Sequence, residues 1–188
     1  MKIVRKESNP ESVSLGFILK RTKMATIKLG DNSVETIGSL PKIGDYAPDF
    51  HLTAQDLSNK TLADYKGARV VMNIFPSIDT NVCATSVRKF NEKATGLKNT
   101  KVLCISKDLP FAQKRFVDDE GLENVTNLSD FRGNFGKNYG VEMTTGALSG
   151  LHSRAVVVMD ELGKVIHNQQ VPNIGDEPDY LSALKTLL

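Results

Sequence analysis

Between residues 70 and 128, short apolar runs alternate with segments of helical periodicity, and this alternation limits what the chain can fold into. Val70–Phe75, Lys101–Ser106 and Val125–Leu128 are compact stretches rich in β-branched residues that read as strands. From Asn81 to Lys93 the residues Cys83, Val87, Phe90 and Ala94 recur at i, i+4, i+7 and i+11, which predicts a helix with one apolar stripe. A second helix is expected from Pro110, a favourable first-turn residue, to Asp118. Strand–helix–strand order favours a largely parallel sheet covered on both faces, because parallel neighbours need a crossover between them.

The flanks add antiparallel pieces. Thr26–Leu29 and Ser33–Ile37, joined around Gly30-Asp31-Asn32, predict an N-terminal β-hairpin, and Phe50–Thr53 a short strand. Phe131–Tyr139 reads as a short helix ended by Gly140. Arg154–Met159 and Val165–Val171 enclose the turn Asp160-Glu161-Leu162-Gly163, and Pro178 opens a last helix to Leu188. The expected fold class is therefore α/β: a thioredoxin-like sandwich with a mixed central sheet, helices on both faces and an N-terminal hairpin. One domain over 24–188 is expected, preceded by a disordered extension over residues 1–23.

Charge and cysteine usage exclude several classes. Residues 1–23 carry six bases against Glu7 and Glu11, a balance of +4, so the rest of the chain, within a net +2, stands at −2. No basic stripe with interleaved aromatics exists, which argues against nucleic acid as a partner. No apolar run approaches the ~18 residues of a membrane span. Val13–Leu19 is followed by Lys20-Arg21-Thr22-Lys23 rather than the small residues of a cleavage site, so a cytoplasmic location is expected. Two cysteines, Cys83 and Cys104, are too few for a disulfide framework and fit a reducing compartment. His51, His152 and His167 show no metal-ligand spacing, and no cofactor motif is present.

The chemistry concentrates at Pro76-Ser77-Ile78-Asp79-Thr80-Asn81-Val82-Cys83, directly behind the first buried strand. Cys83 falls in the first turn of the predicted helix, with Thr80 as its N-cap, where the helix field favours an anion. Reactive thiols sit in electropositive, partly exposed settings of this kind. The helix end alone is insufficient. An ordinary thiol is only a few per cent ionised at neutral pH, and making thiolate the main form takes roughly 3 kcal/mol. A helix terminus supplies ~0.3–2 kcal/mol, so a cation is required. Arg88, five residues on, points to another side of the helix; Arg154, at the start of a strand able to lie beside the first, is the better candidate. Pro76 turns the chain out of the strand and offers no N–H of its own.

Pro76, Thr80 and Cys83 match the P-x-x-x-T-x-x-C signature of peroxiredoxins. Asn73–Asp79 (NIFPSID), Ser86–Asn91 (SVRKFN), Val102–Ser106 (VLCIS), Asp108–Gln113 (DLPFAQ) and Arg154–Val158 (RAVVV) resemble the bacterial thiol peroxidase type of that family. The resemblance extends over about residues 24–188. It implies a thioredoxin fold, no cofactor, reduction of hydrogen peroxide and organic hydroperoxides by a thiol reductant, and a homodimer. It carries over Cys83 as the peroxidatic residue, Thr80 as hydrogen-bond partner to thiolate and peroxide, and Arg154 as activating cation, while the shielding expected of Pro76 rests on its place at the strand end.

One position departs from the family pattern. The resolving cysteine ordinarily follows D-L-P-F-A-Q in a setting like R-F-C, whereas this chain reads Arg115-Phe116-Val117. Valine is unable to attack a sulfenic acid, so a one-cysteine cycle with an external thiol is expected. Cys104, inside Val102-Leu103-Cys104-Ile105, reads as a small buried hydrophobe, with a resolving disulfide as the other role open to it. The alternative function is a peroxide sensor that relays oxidation to a partner protein. A Cys83–Cys83 bridge between two chains also stays open.

Overall fold

In the computed structural model, residues 24–188 are described; the expectation for residues 1–23 lies outside them. Among the described residues nine strands form: β1 (Thr26–Leu29), β2 (Asn32–Glu35), β3 (Leu52–Ala54), β4 (Asn59–Lys60), β5 (Arg69–Ile74), β6 (Thr100–Ser106), β7 (Thr126–Ser129), β8 (Ala155–Met159) and β9 (Val165–Gln170). Four α-helices accompany them: α1 (Asn81–Ala94), α2 (Pro110–Glu120), α3 (Phe135–Asn138) and α4 (Tyr180–Lys185). β1 and β2 make the antiparallel N-terminal hairpin, and the other strands form one sheet in the order β4-β3-β7-β6-β5-β8-β9. The centre β7-β6-β5 is parallel, joined by the α1 and α2 crossovers, while β3, β4, β8 and β9 add antiparallel edges. The thioredoxin-like mixed sheet expected from the alternation is present.

Period-two alternation sorts the central strands between two cores. Val70, Met72 and Ile74 of β5, Leu103 and Ile105 of β6, and Ala155, Val157 and Met159 of β8 enter one core with Phe50, Phe135 and Tyr139. Val71, Val102, Cys104, Val156 and Val158 enter the other, where Cys83, Val87 and Phe90 of α1 meet Ala183 and Leu187 at the C-terminus. The i, i+4, i+7 stripe read from the sequence is thus the buried face of α1. Each of Val87 and Phe90 contributes about 1.5–3 kcal/mol through burial. Helices cover both faces: α1, α2 and α4 on the second core, α3 and a 3-10 turn at Leu62–Tyr65 on the first.

Two differences from the sequence reading have local causes. The helix expected over Phe131–Tyr139 is confined to Phe135–Asn138, because the Asp130 carboxylate accepts the N–H groups of Phe135 and Gly136 and so delays the helix start. The last helix starts at Tyr180 rather than Pro178, since the Asp179 side chain caps it by accepting the Ser182 N–H at 3.0 Å.

A third small cluster, Ile27, Val34, Met143 and Ile174, packs the hairpin against the segments carrying Leu148, Leu151 and Ile174. This is the side of the molecule on which β5 ends and β8 begins, so the hairpin becomes one wall of the site.

Candidate active site

Strand register brings the candidate residues together. β5 and β8 are antiparallel with Ile74 opposite Ala155, so Arg154 lies across from Phe75, immediately before Pro76. By alternation, Arg154 shares the sheet face of Val156 and points toward α1. Cys83, one turn into α1, faces the same core from above.

Two side chains approach the sulfur closely, one cationic and one a hydroxyl. Arg154 Nη2 lies 3.4 Å from Cys83 Sγ. Its Nε donates to the Ile174 carbonyl at 2.9 Å, which fixes the plane of the guanidinium. Arg154 is 2% exposed, and none of the described carboxylates pairs with it within 4.0 Å. A buried cation needs an anion or strong hydrogen-bond acceptors, and the nearest group able to become an anion is the Cys83 sulfur. Arg154 Nη1 has no partner among the described residues. It therefore keeps an N–H for an incoming oxygen.

Thr80 plays a part that capping logic alone misses. It is the N-cap residue, with extended backbone, but its side chain caps no backbone N–H of the helix. Its Oγ1 lies 2.8 Å from Cys83 Sγ and 3.0 Å from the Ser77 carbonyl oxygen. A hydroxyl has one proton, so these contacts alternate. With Cys83 as a thiol, the S–H donates to Oγ1 while the hydroxyl donates to Ser77; with Cys83 ionised, the hydroxyl turns and donates to the sulfur. The first i−4 bond of α1 runs from Ala84 N–H to Thr80, which leaves the N–H groups of Asn81, Val82 and Cys83 ahead of the helical ladder and on the site's side.

Cys83 itself is fully buried, not partly exposed as the sequence suggested. Access is through its neighbours: Pro76, Thr80, Val82 and Arg154 line a cleft of about 250 Å³ whose other walls include Leu29, Leu151 and Ile174. Pro76 is buried at the rim of this cleft. The loop carrying it is held from below by Asp108. That carboxylate accepts the Ser77 hydroxyl at 2.8 Å, the Ile78 N–H at 2.7 Å and the Ser106 hydroxyl at 2.7 Å. Asn73 of β5 donates to Ser86 of α1 at 3.1 Å, and Ser86 donates to the Cys83 carbonyl at 2.8 Å, pinning the first turn to the sheet. The sequence reading singled out neither support, although Asp108 opens the quoted DLPFAQ run and Asn73 is a polar residue in an otherwise apolar strand.

The remaining candidates fall elsewhere. Arg88 faces away and pairs with Glu120 at 2.6 Å. Cys104 is a buried free thiol on β6, and burial pushes it up to about 12 despite the Asn73 N–H near its sulfur. Val117 is half-buried on α2. No group of three or more potential metal ligands occurs among the described residues, and none of their helices is long and apolar enough to cross a membrane.

Fold and site together define a thiol-based redox protein on a thioredoxin-like sheet. Residues 42–184 match the Redoxin family. A thiol peroxidase of Corynebacterium glutamicum is 51% identical over 87% of this chain and 99% of its own length. Among solved structures, a peroxiredoxin-like protein of Aquifex aeolicus superposes with TM-score 0.83 at 41% identity, covering 87% of this chain and 96% of that one. A thiol peroxidase from Chromobacterium violaceum does so with TM-score 0.78 at 27% identity, covering 86% and 94%. The chain belongs to the Redoxin family, within its thiol peroxidase branch.

Proposed function

We propose that this chain is a thiol-dependent peroxidase that reduces hydrogen peroxide and organic hydroperoxides at Cys83. The observation that carries this reading is the pairing of a buried guanidinium, without a carboxylate of its own, with the Cys83 sulfur at 3.4 Å. The thiolate attacks one peroxide oxygen, the O–O bond breaks, and Cys83 becomes a sulfenic acid while water or an alcohol leaves after taking up a proton. Arg154, through Nη2 and the unpartnered Nη1, holds the oxygens as charge shifts from sulfur to the leaving oxygen. Thr80 Oγ1 donates to the thiolate, then to the oxygen that bonds to it. Pro76 keeps bulk water off the sulfur.

With valine at 117 and Cys104 sealed in the sheet, the sulfenic acid is reduced by a thiol from another molecule. The external thiol first forms a mixed disulfide with Cys83, releasing water, and a second thiol then regenerates the thiolate. Two free cysteines and no disulfide among the described residues suit a reducing, cytoplasmic setting. A homodimer is consistent with the exposed apolar side chains Leu109 and Phe111 beside the Asp108 support.

Peroxide consumption with a small-thiol or thioredoxin-type reductant tests this directly. Wild-type protein turns over, and Cys83→Ser does not. Equal consumption by the two proteins refutes the assignment. Oxidation of Cys83 without steady-state turnover, together with a trapped mixed disulfide with a partner protein, points to relay instead.

A further inference from the structure

The peroxidatic reading uses Arg154 but leaves a buried ionisable pair two residues away unexplained. His152 Nε2 lies 2.9 Å from Asp130 Oδ2, and both side chains are shut off from solvent. No described contact joins either to Cys83.

The pair closes a ring of bonds around the approach to Arg154. Asp130 at the end of β7 accepts the N–H groups of Phe135 and Gly136, each at 3.0 Å, and His152 at its second oxygen. The Gly136 carbonyl then accepts from Val141 and Glu142, and the Val141 carbonyl accepts the Ser153 N–H at 2.8 Å. Glu142 and His152 also form an antiparallel bridge. The two residues before Arg154 are thus tied to Asp130 twice, once through the His152 ring and once through the backbone by way of Gly136. On the other side, the Arg154 carbonyl accepts from Gln170 Nε2 at 2.8 Å and from the Val171 N–H at 2.9 Å. The space around the ring is tight, since a Cβ on Gly136 would lie 2.8 Å from His152 Nε2.

We infer that Asp130 and His152 are a positioning pair whose bond sets where Arg154 presents its guanidinium to the Cys83 sulfur. They touch neither sulfur nor substrate and act only through the His152-Ser153-Arg154 backbone. The inference rests on Cys83 and Arg154 being the reacting pair. Burial would push the Asp130 carboxyl up, but the His152 ring and the two N–H donors outweigh it and hold the group below the usual carboxylate range. The bond is therefore one from His152 to a carboxylate, the stronger, charge-assisted kind.

Two substitutions separate bond from bulk. His152→Phe keeps an aromatic ring against Phe135 and loses the bond; Asp130 Oδ2 retains its Gly136 donor, so no buried oxygen is orphaned. His152→Gln places an amide N–H near the position of Nε2 and loses the ring. The expected result is a fall of about tenfold in the rate of Cys83 oxidation for His152→Phe, short of the ~100-fold that a full 1 Å misplacement can cost. Its thiolate titration midpoint, followed by ultraviolet absorbance, should move upward. His152→Gln should stay within about threefold of wild type in rate, even where its melting temperature falls further than that of His152→Phe.

Val165→Ala, in the same apolar layer but outside the ring of bonds, controls for lost packing. It should lower the melting temperature and leave the titration unmoved. The pair is merely structural if His152→Phe titrates like wild type, or if His152→Gln is the impaired variant. The titration needs no peroxide, so it judges this pair even if wild-type protein fails to consume peroxide and the peroxidase reading falls.

Discussion

Replacing Arg154 by methionine isolates what the guanidinium does, because methionine keeps much of the length and apolar bulk and removes only the charge and the donors. Two unit charges 3.4 Å apart attract by roughly 5 kcal/mol at an effective dielectric of about 20, which is an upper bound for the loss. A lower figure comes from treating the contact as a hydrogen bond to a charged group, about 1.5–3 kcal/mol. Taking ~2–3 kcal/mol as the working value and 1.36 kcal/mol per tenfold, the thiolate should become about 30- to 150-fold harder to form. The assay is the pH titration of thiolate absorbance, paired with stopped-flow oxidation by peroxide. Oxidation should slow by more than the titration alone explains, since Arg154 Nη1 is also lost as a donor to the peroxide oxygens. A double-mutant cycle adds a stability test. With Cys83→Ser, Arg154 becomes a buried cation with no anion within 4.0 Å among the described residues, so Arg154→Met should destabilise the serine variant less than it destabilises the parent, by about 2 kcal/mol. An unmoved titration, or strictly additive stabilities, would refute the thiolate–guanidinium pair.

Other perturbations probe the neighbouring residues. Thr80→Val, which keeps shape and loses the hydroxyl 2.8 Å from the sulfur, should slow Cys83 oxidation by about ten- to hundredfold, with little change in melting temperature because Thr80 makes no side-chain cap. In native protein Cys104 should resist alkylation long after Cys83 has reacted, and become accessible only on unfolding; comparable rates at the two thiols would count against its burial. The same burial has a pH signature. The folded Cys104 thiol is pushed up to about 12 from an ordinary 9.0, so the native state keeps a proton that the unfolded chain releases. That contribution is complete below the unfolded value and fades as pH rises toward the folded one, at most ~1.4 kcal/mol per pH unit; Cys104→Ala should flatten this part of the alkaline stability curve. Val117→Cys should allow an intrachain disulfide after one equivalent of peroxide, seen as a two-hydrogen loss by intact mass, whereas sulfinic acid alone would show that α2 does not bring position 117 to Cys83.

The sequence made the sheet legible because its signals are local and redundant. β5, β6 and β8 are each apolar on both faces and end at turn residues, so their bounds fall within a residue of expectation. α1 follows from a stripe that the core confirms residue by residue. What stayed hidden depends on particular side-chain and strand partners rather than on a repeating pattern. β4 is two residues long and exists only through pairing with β3. The late start of α3 is decided by Asp130, whose carboxylate has no periodic signature. The site divides in the same way. Cys83 and Thr80 are three residues apart on one helix turn, and Arg154 could be argued from register. The supports Asp108, Asn73 and the Asp130–His152 pair act across 13 to 31 positions, and only their assembled geometry reveals them.

That division follows from the electrostatics of the site. A thiolate at a helix end and a guanidinium from another strand gain most when water is excluded, but exclusion also raises the cost of either charge alone. The protein meets both conditions by mounting the two groups on separate rigid elements that become neighbours only in the finished sheet. Cys83 is fixed through Asn73 and Ser86 to β5, and Arg154 is fixed by β9, the Ile174 carbonyl and the bonds reaching back to Asp130. On the proposed peroxidase reading, both mounts leave little reorganisation for the arrival of peroxide, which is where preorganised sites obtain their rate. A looser mount on either side would leave the same residues present and the sulfur a far poorer nucleophile.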